Sequence, residues 1–370
     1  MPPGEFTPQS ILLQPRQPGS REGNGGYGNG SGLGPEPRRP KRRRPVRRVL
    51  IALLAALLAA PVGTYAWADT ELNRDVDLGR FADRPPAGEG TNYLIVGSDS
   101  RDGLSERQQR DLHTGSFSGR RTDSMMLLHT GKGGTTMVSL PRDSWVAIPA
   151  FTSPRTGKRA GGGRDKLNAA FSRGGPEMLA HTVEQNTGLR VDHYAEIGFA
   201  GFVNLVDAVG GVRMCLERDI KDKDSGADLK KGCQTLDGTA ALAFVRQRKQ
   251  EAEGDLGRTR NQQRFLSALA DQAGAPRTVL NPSDLYPVVN AGLETLVVDR
   301  ETGLRDLTSM FRALRGVAGG SGKRISVPLA GTGVPTSKGS VAVWDQAKAG
   351  KLFGQLRGDG PVTFAEEGRP

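Results

Sequence analysis

Cysteine and histidine are scarce in this sequence. Only Cys215 and Cys233 occur among 370 residues, with charged sequence between them. Neither sits in a CxxC pair or near histidine ligands, which excludes a zinc site of the usual spacing. Two free thiols or one disulfide remain. The four histidines, His113, His129, His181 and His193, are scattered, and none is spaced to serve a serine nucleophile. Also missing are GxSxG, HExxH and GxxxxGK[ST], so no sequence signal points to a nucleophile elbow, a zincin helix or a P-loop. Gly331-Thr332-Gly333 reaches Thr336 where a dinucleotide loop needs a third Gly or Ala. No period of 20–50 residues recurs, which excludes a repeat array.

An even charge distribution is lacking too. The formal net charge is +11, but residues 1–48 hold ten Lys/Arg against three Asp/Glu. The other 322 residues carry 41 basic and 37 acidic side chains. The basic excess is therefore local, and charge gives the main domain no case for nucleic acid. Residues 1–37 are rich in Gly, Pro, Ser, Gln and Asn, and too poor in apolar side chains to offset the entropy of ordering. Residues 38–48 form the basic run that ends this tail.

Long hydrophobic runs are absent except for one. Val49 to Ala68 holds no charged residue and is dominated by Leu and Ala. As a helix it would extend about 30 Å, the thickness of a bilayer hydrocarbon core. Lys and Arg flank only its N-terminal side, which places that side in the cytoplasm. The reading is a transmembrane signal anchor at 49–68. A rival exists: Ala66-Trp67-Ala68 fits a small-x-small cleavage site, which would make the run a signal peptide. The long N-terminal extension favours the uncleaved anchor. Both readings export the chain beyond Ala68, and an oxidising compartment favours a Cys215–Cys233 disulfide.

Residues 69–90 read as a linker, ending in Pro85-Pro86-Ala87-Gly88-Glu89-Gly90, with a folded domain over 91–357 and a tail at 358–370. Strands are expected at about 92–97, 124–130, 135–140, 144–148, 191–197, 212–217, 323–329 and 340–344. Helices are expected at about 166–173, 176–187, 199–208, 238–245, 259–273, 283–296, 301–315 and 346–356. Such alternation predicts an α/β fold, an α-β-α sandwich around a central mixed sheet.

What stands out is chemistry at strand ends. Tyr93-Leu94-Ile95-Val96 stops at Gly97 and releases Ser98-Asp99-Ser100-Arg101. Arg121-Thr122-Asp123 leads into Met125-Met126-Leu127-Leu128, and Met137 to Leu140 ends in Pro141-Arg142-Asp143. Asp99 and Asp123 are the metal candidates, because a hard divalent cation takes one or two carboxylates and fills its shell with phosphate oxygens and water. For a single Asp, turn capping is the plainer role; the neighbouring arginines argue for more. A second basic cluster holds Arg246, Arg248, Arg258 and Arg260. Arginine presents a planar fork suited to phosphate, and Arg258 and Arg260 stand where a helix should begin, an end that attracts anions. The bland alternative is a solvated basic face.

These motifs occur in a telling order: Asn92–Arg101, Arg121–Met125, Ser139–Asp143, Lys166-Leu167-Asn168-Ala169-Ala170, and Val245-Arg246-Gln247-Arg248 with Gly257-Arg258. Together, over roughly residues 91 to 350, the chain resembles the LytR-CpsA-Psr family of cell-wall glycopolymer transferases. The resemblance implies a Mg²⁺-dependent enzyme, with Mn²⁺ as the substitute ion, anchored in the membrane with its catalytic domain outside. It implies transfer of a glycopolymer from a polyprenyl diphosphate carrier to a peptidoglycan sugar hydroxyl. Asp99 and Asp123 would hold the metal. Arg121 and Arg142 would act in catalysis beside them, and these two with Arg246, Arg248 and Arg258 would clamp the diphosphate. Phe199, Phe202, Val203 and Val206 would line a channel for the lipid, although their spacing fits ordinary core packing equally well. One departure is Asn261, where the family commonly has a second arginine; Arg260 is the substitute. A diphosphate hydrolase and a non-catalytic membrane-anchored binding or regulatory protein are the rival readings.

Overall fold

The computed structural model describes residues 47–51, 63–101, 104–114, 121–152, 157, 159–247 and 255–364, without the side chains of 255–259 and Val279. The folded unit lies within Leu58–Pro370, and of the preceding unit, Met1–Leu57, only 47–51 are described. The expected membrane anchor at 49–68 therefore lies mostly outside the described residues. Among the described residues, no helix is long and apolar enough to cross a membrane.

A seven-stranded sheet forms the centre. Its strands are β1 (Asn73–Val76), β2 (Thr91–Ser98), β3 (Thr122–Gly131), β4 (Gly134–Ser139), β5 (His193–Ile197), β6 (Leu296–Asp299) and β7 (Gly322–Ser326). The spatial order is β1-β6-β5-β2-β3-β4-β7. The β2–β3, β3–β4 and β5–β6 pairs are antiparallel, and β1–β6, β2–β5 and β4–β7 are parallel, so the sheet is mixed.

Alternation along the strands sends side chains to two faces. Leu94, Val96, Met125 and Leu127 point to one face, where α2 (Leu167–Thr187) and α8 (Gln346–Arg357) cover them with Phe171, Met178, Leu179, Leu352 and Phe353. Tyr93, Met126, Leu128 and Ala195 point to the other, under α6 (Pro282–Thr295) and α7 (Leu304–Ala318). Burying each such large apolar side chain contributes about 1.5–3 kcal/mol. A third cluster lies beyond that face, where α3 (Phe199–Ala208), α4 (Gly238–Arg246) and α5 (Asp255–Ala273) pack against a hairpin of Val212–Leu216 and Gly232–Leu236. Cys215 and Cys233 face each other across that hairpin and form a disulfide.

The two helices expected at 166–173 and 176–187 run together as α2, broken at Gly175. Its φ of 76° and ψ of −164° suit glycine alone, and Pro176 opens the second segment. The stretch 69–90 is not a free linker. Its residues 73–76 form β1, and Arg84 makes a bidentate pair with the buried Glu184, 2.8 Å at its shortest. Nor is the start of the expected C-terminal tail free. Asp359 accepts hydrogen bonds from the backbone of Lys132 and Gly133, and lies 3.2 Å from His129 Nε2.

Candidate active site

Antiparallel pairing decides where the chemistry gathers. The end of β2 meets the start of β3, with Ser98 opposite Thr122 after a register shift at Gly97. Asp99 and Arg121 are thereby locked together. Asp99 N donates to the Arg121 carbonyl at 2.9 Å, and Arg121 N donates to Asp99 Oδ1 at 2.5 Å. Because β4 runs antiparallel to β3, its end returns to the same edge and delivers Arg142. Arg142 Nη1 donates to Asp123 Oδ1 at 2.7 Å. Arg142 Nε lies 3.4 Å from Asp143, whose other oxygen takes Lys166 Nζ at 2.7 Å. The three strand ends thus share one charged edge.

That edge is the mouth of a cavity of about 710 Å³. Asp99, Arg101, Arg121, Asp123, Arg142 and Arg246 line its charged part. Its interior is apolar, lined by Phe199, Phe202, Leu205, Phe265, Leu266 and Leu269, and further in by Ile95, Ala195, Met310 and Leu314. One end can take a charged group and the rest an apolar chain.

Burial pushes the Asp99 carboxyl above its ordinary range, and the nearby Asp123 charge adds to this, while the Arg121 backbone hydrogen bond opposes it. Beside it Ser98 is only 2% exposed and lines the cavity, and its hydroxyl has no hydrogen-bond partner among the described residues. Two crowded carboxylates next to an unsatisfied hydroxyl are an arrangement that a bound cation would relieve. Among the described residues no group of three or more His, Cys, Asp and Glu stands ready for a metal ion.

Arg246, over a hundred residues away in sequence, ends α4 at the same mouth. It donates to the carbonyls of Leu112 at 2.8 Å and His113 at 3.1 Å, just beyond a short helix, α1 (Glu106–Asp111). Its guanidinium also lies 4.9 Å from the centre of the Phe199 ring. Arg121, Arg142 and Arg246 thus meet around one space. Arg258 falls in the first turn of α5, but its side chain is not described, and Arg248 lies outside the described residues. Arg260 is absent from the cavity lining. Phe199 and Phe202 line the cavity, but Val203 and Val206 do not. Val206 is fully buried in the third cluster, and Val203 is pressed against Gly238. A helix turns neighbours about 100° apart, so one face of α3 serves the cavity and the next serves the core.

Several lining residues escaped the sequence reading as site residues. Asp222, Asp224 and Ser225 reach the cavity from a turn inside the disulfide-bonded hairpin, between strands Ile220–Asp222 and Ala227–Leu229. Gly226 of that turn lies so close to His113 that a Cβ would stand 2.7 Å from Nδ1. No motif marks this turn; its only signal is charge between two cysteines.

A family model described as the LytR_cpsA_psr family matches residues 68–357. The chain belongs to this family. A probable cell wall biosynthesis protein, LcpB of Corynebacterium glutamicum, is 41% identical over 83% of the chain and 70% of its own length. TagU of Oceanobacillus iheyensis, a polyisoprenyl-teichoic acid–peptidoglycan teichoic acid transferase, is 31% identical over 56% of the chain and 59% of its own length. Among solved structures, a LytR-Csp2A-Psr enzyme from Actinomyces oris superposes with a TM-score of 0.57 at 21% identity, covering 77% of the chain and 96% of its own. TagT bound to LIIa-WTA gives 0.51 at 22% identity, over 79% and 95%. At such identities the structural likeness speaks for the fold of this LytR_cpsA_psr member.

Proposed function

We propose that the chain is a phosphotransferase that moves a glycopolymer from a polyprenyl diphosphate carrier to a peptidoglycan sugar hydroxyl. The observation that carries this reading is the two-part cavity, charged at the mouth and apolar within. A donor with a diphosphate head and a prenyl tail matches both parts. Family membership and the TagU relative, named as a transferase of this kind, support it. The uncharged run at 49–68 with its basic flank supports a single-pass anchor with the domain outside the membrane.

In the mechanism, Arg121, Arg142 and Arg246 hold the diphosphate and stabilise the charge that builds as the reaction proceeds. Arg248 and Arg258 join them in this reading. Asp99 and Asp123 would hold Mg²⁺ (or Mn²⁺). When bound there, the ion would supply positive charge that neutralises the diphosphate. The acceptor hydroxyl oxygen attacks the phosphorus bearing the sugar. The bond from that phosphorus to the bridging oxygen breaks, prenyl phosphate leaves, and the hydroxyl proton passes to a base or to water. A phosphodiester joins polymer to wall. Phe199, Phe202 and the apolar interior hold the tail and exclude water.

The test is incubation of the full chain with a lipid-linked glycopolymer, with and without peptidoglycan. Phosphate-linked polymer on the wall, formed only with both substrates, is expected. Release of free prenyl phosphate at equal rates with and without acceptor would instead make the chain a hydrolase.

A further inference from the structure

A second cavity of about 610 Å³ lies under the same helix as the first. Its character is opposite. Thr91, Thr130, Thr135, Ser309 and Ser321 line it with hydroxyls, together with Asp306 and Arg312. The register of the parallel β2–β5 pair shows how near the two cavities come. Ile95 pairs with Ala195, and both line the apolar cavity. Two residues back, on the same face, Tyr93 pairs with His193, and both line the polar one. Two strand residues advance about 6.6 Å. From above, Met310 and Leu314 of α7 close on the apolar side, and Ala313 on the polar side. Tyr93 and His193, stacked with centroids 5.2 Å apart, thus stand at the boundary between the two, with Leu128 opposite Tyr93 on the next strand and Ala313 in the same cluster.

We propose that the Tyr93–His193 stack is the end wall of the lipid cavity and sets the length of prenyl chain that the protein can enclose. This deepens the transferase reading and rests on it. The wall works in two ways. The rings block the path, and the space beyond them is lined with polar groups, where an apolar chain gains little and strips water from hydroxyls. The stack is pinned from behind. His193 Nδ1 lies 2.9 Å from Thr302 Oγ1 and 3.9 Å from Asp299 Oδ1, while Nε2 lies 3.7 Å from Asp306 Oδ1. Burial, with the charges of Asp306 and Asp192, pushes the Tyr93 hydroxyl up to about 12, so the ring stays neutral.

The experiment measures binding of prenyl monophosphates of increasing length, from farnesyl to undecaprenyl phosphate, to the full chain by competition with a fluorescent prenyl phosphate. In the unaltered protein, affinity should rise by roughly tenfold or more per isoprene unit while the cavity fills, then level off. Tyr93→Ala should move the levelling point to longer chains by one unit or more. His193→Ala, which removes the less buried ring, should move it the same way and covers the case in which Tyr93→Ala does not fold. Ala195→Leu advances the wall and should move the point to shorter chains. An unchanged levelling point in folded His193→Ala and Ala195→Leu proteins overturns the proposal. If the unaltered protein binds no prenyl phosphate of any length, the transferase reading itself falls and takes the wall with it.

Discussion

The two faces of the central sheet are built from the same strands and solve different problems. On the face under α2 and α8, Leu94, Val96, Leu127, Leu179 and Leu352 are fully buried among one another. On the face under α7, Ile95, Met126 and Ala195 border a cavity of about 710 Å³. Adjacent residues of one strand, such as Met126 and Leu127, thus serve opposite ends. The first face has close-packed neighbours, so every methylene counts toward stability. The second gives up those contacts to leave room. Stability and function are divided between the faces of one sheet, and substitutions should sort accordingly.

The largest expected effect is on the closed face. Leu127→Ala should cost about 2–5 kcal/mol in denaturant unfolding, whereas Leu266→Ala, whose side chain already borders a void, should cost under ~1 kcal/mol because it loses fewer contacts. Equal costs would erase the distinction. Next come the charged residues at the mouth. Arg142→Ala and Asp99→Asn should lower transfer activity by ~10²–10³-fold. Asp99→Asn should also raise Tm at neutral pH. The sign comes from burial: a carboxyl held above its ordinary range gives stability that is complete in acid and lost as pH rises through the folded value. The gap in Tm between variant and parent should therefore close as the pH is lowered. A variant less stable at neutral pH would contradict this.

A smaller loss is expected where the closed face is fastened. The chain beyond α8 is held by Asp359 on the β3–β4 hairpin, and Asp359→Ala should cost about 2 kcal/mol. The backbone hydrogen bond from Gly133, with that from Lys132 and the side-chain hydrogen bond with His129, outweighs burial and keeps this carboxyl below its ordinary range. Its contribution is present above the ordinary carboxylate pKa and is lost as pH falls through the depressed folded value, which a Tm series in acid would display. The smallest change in stability belongs to the cavity. Met310→Phe should alter unfolding by less than ~1 kcal/mol while weakening prenyl phosphate binding, because it fills space that the fold does not need.

Much of the sheet was legible because β2, β3 and β4 carry strong apolar runs that stop at polar residues. The mouth was legible for the same reason: Asp99, Asp123 and Arg142 follow or open those runs. The edges were not. β1 reads Asn-Arg-Asp-Val and has no apolar period; its structure comes from pairing with β6, burial of Val76 and the hydrogen bonds of Arg74. β6 follows α6 without a break, so the expected helix at 283–296 took in its first residue, Leu296, and Val297-Val298 went unassigned. Periodicity placed all four residues from Phe199 to Val206 on one face, yet the helix divides that face between cavity and core. Asp222 and Asp224 had no motif, only charge between two cysteines, since a turn reaches the mouth only through tertiary packing.

The order of strands also bears on assembly. β2, β3 and β4 adjoin in space and in sequence, so they can pair as soon as residue 139 has been made. β1 is synthesised before them but pairs only with β6, in the register Asn73↔Val297. The earliest strand of the sheet is therefore among the last to be satisfied. It waits while more than two hundred residues emerge, and long-range pairing of this kind is intrinsically slow. A chain cut short before residue 296 would leave the first strand without its partner.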